Sequence, residues 1–168
     1  MKKGNISVIA FLALFALALA LPGGALAAFV GKPAPDYTLK TLDGETVRGK
    51  DMVGKKPVMM VFWATWCPVC EEEIPGIKRI HERLAPRGLE VVAVNVGVND
   101  SEGKARKYVG KYGIDYPVAF DRGSEVTRKF GIRGTPTVVI VDAGGIVRYR
   151  SAGLPEDLEE RFDDLAVK

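Results

Sequence analysis

Along the chain the apolar residues follow two rhythms, and the switches between them mark the elements. Val58–Phe62 is an unbroken apolar run, the pattern of a strand buried on both faces. Glu90–Val96 (EVVAVNV) reads as a second buried strand, Thr137–Val141 as a third and Tyr116–Phe120 as a short fourth. Elsewhere the apolar spacing is helical. Ile74, Ile77, Ile80 and Leu84 predict a helix from Pro68 to about Leu84, with Pro75 expected to kink it. Ala105, Tyr108, Val109 and Tyr112 predict a helix over Glu102–Tyr112, with Asp100-Ser101 as its N-cap. Ser124–Phe130 reads as a short helix stopped at Gly131; Leu158, Phe162 and Leu165 behind Pro155 read as a closing helix. Asp142–Gly145 turns the third strand into Ile146–Arg150 as an antiparallel hairpin. Alternating strands and helices with a terminal hairpin place the chain in the α/β class, with a mixed central sheet flanked by helices.

The stretch Phe29–Lys56 precedes this core. Gly31–Asp36, with two prolines, is not helical, and Tyr37-Thr38-Leu39 and Glu45-Thr46-Val47 flank an Asp43-Gly44 hairpin signal. The expectation is a cover over one edge of the sheet.

The N-terminus follows another pattern. Lys2 and Lys3 precede Ile6–Leu21, which is nearly all apolar; Pro22-Gly23-Gly24 breaks it, and Ala25-Leu26-Ala27 is an A-x-A cleavage site. The apolar run is short for a span of about 20 residues. Residues 1–27 therefore read as a signal peptide cleaved after Ala27, with an uncleaved anchor as the alternative, and residues 28–168 as one domain. A lipid anchor is not expected, since the cleavage site has no cysteine. Cleavage removes Lys2 and Lys3 and lowers the formal net charge from +3 to +1. So small a charge implies neither nucleic acid nor an anionic membrane surface as partner. Export places the domain where disulfides persist.

The two cysteines carry the chemistry. Cys67-Pro68-Val69-Cys70 stands where the first buried strand hands over to a helix, the thioredoxin-type redox arrangement. A thiol at a helix N-terminus meets unpaired N–H groups and the positive end of the macrodipole, which favour the thiolate. The thiolate is the form that attacks a disulfide. Cys67 is thus the expected nucleophile, and Cys70, one turn on, the resolving thiol. A structural staple is the bland reading, but so tiny a loop constrains the unfolded chain little. Trp63 and Trp66 flank the pair and are expected to shield it. Glu71, Glu72 and Glu73 suit the first turn of a helix, and a solvated face is their default reading. One of them could instead fold beneath the sulfurs and relay protons. His81 reads as a solvated helix residue. Gly134-Thr135-Pro136-Thr137, before a core strand, offers an X-Pro bond that is a candidate for the cis form.

VFWATWCPVC and FGIRGTPTVVI resemble the two thioredoxin signatures, including Pro75 five residues after the second cysteine. The resemblance implies a thioredoxin-like fold in which Pro136 is cis and faces the dithiol. Trp66, Thr135 and Pro136 are then the substrate-binding residues. Two departures separate the chain from thioredoxin itself. Val61 stands where thioredoxin has a buried aspartate, and a helix and strand (Gly103–Phe120) are added. Both departures, and the leader GKPAPDYTLKTLDGETV, resemble the exported TlpA/ResA-like reductases over nearly all of Gly31–Lys168. In that branch a glutamate three residues past the second cysteine takes the acid–base role, and Glu73 matches it. A second acidic position of the branch is Val98 here.

The resemblance implies a protein-disulfide reductase that acts on disulfide-containing exported proteins, apocytochrome c among them. It needs no cofactor and no resident metal, is recharged by a membrane thiol reductase, and is expected to be a monomer. Pro68-Val69 between the cysteines, with no histidine there, favours the reducing direction. Two other readings stand beside it. A thiol peroxidase of the peroxiredoxin type needs a Pro-x-x-x-Thr-x-x-Cys frame, but Met60 lies seven residues before Cys67. A copper-binding thiol module would use Cys67 and Cys70, since soft thiolates suit Cu(I). Zinc would lack ligands, and c-type haem attachment needs a histidine where Glu71 stands.

Overall fold

The computed structural model describes residues 29–166. The expected signal segment, residues 1–27, lies outside them. Seven strands and four helices are numbered here in chain order among the described residues. The apolar run forms β3 (Val58–Trp63), buried along its whole length. Its face alternates as a strand must. Val61 and Trp63 look toward one layer of helices, while Phe62 turns the other way and packs on Phe130, ring centroids 5.7 Å apart. β3 pairs in parallel with β4 (Glu90–Asn95) and antiparallel with β6 (Thr137–Val141). β4 pairs in parallel with β5 (Val118–Phe120), and β6 antiparallel with β7 (Val147–Ser151). The order is β5-β4-β3-β6-β7, a mixed sheet with β3 in the middle.

Helix α1 (Pro68–Leu84) connects β3 to β4, and α2 (Glu102–Tyr112) connects β4 to β5. Buried Cys70, Ile74, Ile77, Ile80 and Leu84 give α1 the inward stripe read from its spacing. The helix runs unbroken through Pro75, which sits on its exposed side. α2 begins at Ser101, whose side chain accepts from the Lys104 N–H at 3.3 Å, and ends at Gly113 in the left-handed conformation. α3 (Glu125–Lys129) is preceded by a 3₁₀ turn and is shorter than the expected Ser124–Phe130 helix.

The leader departs furthest from expectation. β1 (Thr38–Lys40) and β2 (Thr46–Arg48) form the expected hairpin as a separate two-stranded sheet. Its turn docks on one edge of the main sheet, where Leu42 donates its N–H to the Val118 carbonyl at 2.7 Å. The residues before it dock on the opposite edge: Gly31 donates to the Val147 carbonyl at 2.8 Å, and Val147 to that of Lys32 at 2.9 Å. Parts of both edges are therefore covered, not one. Unpaired edge groups are templates for aggregation, so covering them has a clear physical benefit.

The closing helix is also shorter than expected. Only α4 (Phe162–Leu165) is helical, and Pro155–Arg161 runs in turns and bends. Buried Leu158, Phe162 and Leu165 still anchor the segment, and the Arg87 guanidinium lies over the Phe162 ring. Such tertiary anchors decide the path, because short helices are marginal alone. His81 is a further correction: it is half-buried, its Nδ1 is covered, and its ring meets the edge of Tyr116.

Candidate active site

Cys67 is the N-cap of α1, extended at φ −100°, and Pro68 opens the helix. Proline is preorganised for that first position and lacks the N–H that would go unpaired there. Cys67 and Cys70 are joined by a disulfide, and the Cys70 N–H donates to Cys67 Sγ at 3.2 Å. Both are well covered, 6% and 4% exposed. Of the two indoles, Trp63 is buried and Trp66 is 51% exposed. Trp66 Nε1 donates to the Val98 carbonyl at 2.7 Å, tying the exposed ring to the loop after β4.

That loop braces the whole link between β3 and α1. Asp100 accepts from the Thr65 N–H at 2.8 Å and from Thr65 Oγ1 at 2.9 Å. It also accepts from Asn95 Nδ2 at 2.8 Å and from the Ser101 N–H at 2.9 Å. Asn95 is fully buried, and its Oδ1 accepts from the Gly97 N–H at 3.0 Å. Gly97 has φ +70°, and a Cβ there would come within 2.4 Å of the Asp121 carbonyl oxygen, so only glycine fits. Partial burial pushes the Asp100 carboxyl up, but the hydrogen bonds from Asn95, Thr65 and Ser101 outweigh it and hold it below the usual carboxylate range.

Thr135–Pro136 is a cis peptide. Thr135 Oγ1 is buried without a hydrogen-bond partner among the described residues. Pro136 is buried and shares a small cavity with Cys70, Glu73, Val61, Trp63 and Tyr108. Its volume is about 10 Å³, room for one water at most. Glu73 is half-buried, and its Oε1 lies 3.5 Å from where a Cβ on Gly153 would stand. The structure thus gathers Cys67, Cys70, Glu73 and Pro136 around one spot, with Thr135 adjoining and Trp66 on the rim. Glu71 and Glu72 remain exposed.

Asp100 and Asn95 were not legible as part of this site. A polar Asn at the end of an apolar strand was the available signal, because a fully buried amide needs partners. The local sequence marks Asp100 only as part of a helix cap, a position that Ser101 fills.

Two solved structures share this architecture. A thiol:disulfide interchange protein of the thioredoxin family from Chlorobium tepidum is 32% identical, with a TM-score of 0.62 over 79% of this chain and 92% of that one. The Mycobacterium tuberculosis protein dsbF is 28% identical, with a TM-score of 0.66 over 77% and 94%. Fold and site define a thiol–disulfide oxidoreductase with the thioredoxin fold. The chain belongs to the AhpC/TSA family, whose model matches residues 30–150. It is similar to the thiol-disulfide oxidoreductase ResA of Halalkalibacterium halodurans, 33% identical over 136 residues, or 80% of this chain and 76% of the relative. ResA of Bacillus thuringiensis is 31% identical over 83% of this chain and 78% of its own length.

Proposed function

We propose that this oxidoreductase is exported and reduces disulfides in other exported proteins, with apocytochrome c before haem attachment as the client class. Residues 1–27 act as its export signal. Cys67 is the nucleophile: as thiolate it attacks the client disulfide, one client sulfur leaves as a thiolate, and a mixed disulfide forms. Cys70 then loses its proton to Glu73 and attacks Cys67 Sγ. The mixed disulfide breaks, the second client thiol is released, and the Cys67–Cys70 disulfide remains. A membrane thiol reductase returns the electron pair, since the chain calls on no cofactor of its own. Trp66, Thr135 and Pro136 hold the client strand, and the protein works as a monomer.

One observation carries the reading: the Cys67–Cys70 disulfide caps α1, beside Pro136 and Glu73. The helix terminus favours a thiolate at its cap. Glu73 faces the same cavity as Cys70, which suits a proton acceptor for the resolving step. The similarity to ResA, a thiol-disulfide oxidoreductase, supports disulfide exchange as the reaction.

The test is a trap in the native host. Cys70→Ser lacks the resolving thiol and accumulates Cys67 mixed disulfides, whose partners identify the clients. Cys67→Ser captures none. Equal trapping by both variants overturns the division of roles, and the absence of cytochrome apoproteins among trapped partners overturns the client class.

A further inference from the structure

The cavity behind the disulfide holds more polarity than the proposed reaction uses. Trp63 Nε1 and the Tyr108 hydroxyl are both buried without a hydrogen-bond partner among the described residues. Both side chains line the cavity that Cys70 and Glu73 share. They come from different elements, β3 and α2, and their rings meet at a tilt of 37° with centroids 4.8 Å apart. Trp63 is 5% exposed and Tyr108 is 9% exposed. Leaving two such groups orphaned is costly, because a buried unpaired donor or acceptor forfeits its full hydration. One water fits the cavity, and a buried water is stable when it finds two to four polar partners. Indole N–H, phenol hydroxyl and carboxylate supply a donor, a donor–acceptor and an acceptor.

We infer that this cavity is a single-water site, and that Tyr108, with Trp63, positions the water so that it carries the proton from Cys70 to Glu73. The inference rests on the roles proposed above for Cys70 and Glu73. The step balances simply. Cys70 Sγ–H gives its proton to the water, and the water passes one to the Glu73 carboxylate. The water is regenerated, and the products are a Cys70 thiolate and a Glu73 carboxylic acid. The thiolate attacks Cys67 Sγ, and the client thiolate leaves. Tyr108 itself does not ionise: burial, then Tyr112 and Glu71, push its hydroxyl up to about 12. It acts as a fixed dipole, a positioning residue rather than a proton carrier. The titratable groups lining the cavity are Cys70 and Glu73 from α1, Tyr108 from α2, and Tyr116 from the segment before β5; Glu71 of α1 and Tyr112 of α2 act on the Tyr108 hydroxyl from outside that lining. β3, β4 and the Pro136 turn contribute no charge to it.

Tyr108→Phe removes one oxygen and keeps the ring. Oxidation of the reduced protein by glutathione disulfide, followed against pH, is expected to slow about fivefold, the worth of one ordinary hydrogen bond. The inflection moves to higher pH. In a Glu73→Gln background the same substitution adds nothing, because the water then has no acceptor to serve. A Tyr108→Phe profile that overlays the unaltered one overturns the inference while leaving Glu73 in place. If Glu73→Gln leaves the profile unmoved, the acid–base assignment falls as well. Stability gives a second readout. A water-bonded hydroxyl leaves the melting temperature unchanged or lowered on removal, whereas a rise marks a group that had no partner and overturns the site. In the unaltered protein the Trp63 Nε1 proton is expected to show NMR cross-relaxation to a long-lived water, and its absence also overturns the site.

Discussion

The Asp100 carboxylate accepts four hydrogen bonds, two of them from Thr65 in the link that ends at Cys67. Its folded state holds the proton less tightly than the unfolded chain does. Its contribution to stability is therefore complete above the ordinary carboxylate range and is lost as pH falls through the depressed folded value. Asp100→Asn is expected to cost about 2 kcal/mol at neutral pH, since charge-assisted bonds give way to weaker ones. At acid pH, below both values, the two proteins converge. Urea denaturation at both pH values measures the difference, and a constant gap across pH would show that the charge is not what matters. Thr65 is the residue through which this loss reaches the sulfurs, because Ala64 beside it accepts the Cys67 N–H at 3.2 Å.

Among the elements, the leader combines weak local structure with firm anchoring. Its hairpin strands have three residues each, too few to stand alone. Tyr37 holds it to the body: the ring is buried and meets Phe130 edge-on, centroids 5.7 Å apart, and Phe130 in turn packs on Phe62 of β3. Tyr37→Ala is expected to destabilise by about 3 kcal/mol, read as a lower urea midpoint. Elements with strong local patterns were legible in the sequence. The VMMVFW run, the Ile74–Leu84 stripe and the Ser101 cap mark β3, α1 and α2 within a residue. Elements fixed by distant partners were not. Nothing local says that Gly31 pairs with Val147 while Leu42 pairs with Val118, or that Pro155–Arg161 follows buried anchors instead of a helical path. The same divide runs through the site. The dithiol was visible in its spacing, and cis Pro136 only through resemblance to thioredoxin. The Asp100–Thr65 brace joins residues 35 apart and left no local trace.

For the whole molecule, the question is how much the fold leans on its disulfide. The bond spans a sequence separation of three, and so small a loop contributes about 2 kcal/mol in the chain-entropy account. Cys67 and Cys70 belong to the buried core, but most of that core, from Val58 to Val147, is made of apolar sheet and helix side chains. The dithiol form is therefore expected to stay cooperatively folded, with the same far-ultraviolet dichroism and a melting temperature lower by several degrees. Loss of cooperative unfolding on reduction would show that the sulfur bridge is structural. The placement of Glu73 has a consequence at this scale. Val61 leaves the sheet with no acid beneath the sulfurs, and the carboxylate comes from α1, the same rod that bears Cys70. If α1 tilts as a client docks, sulfur and acid travel together, and their spacing survives a movement that would separate groups mounted on different layers. Under the roles proposed for Cys70 and Glu73, residues 68–84 then form a transplantable cartridge: grafted into a relative as one block, they are expected to carry the pH response of Cys70 with them.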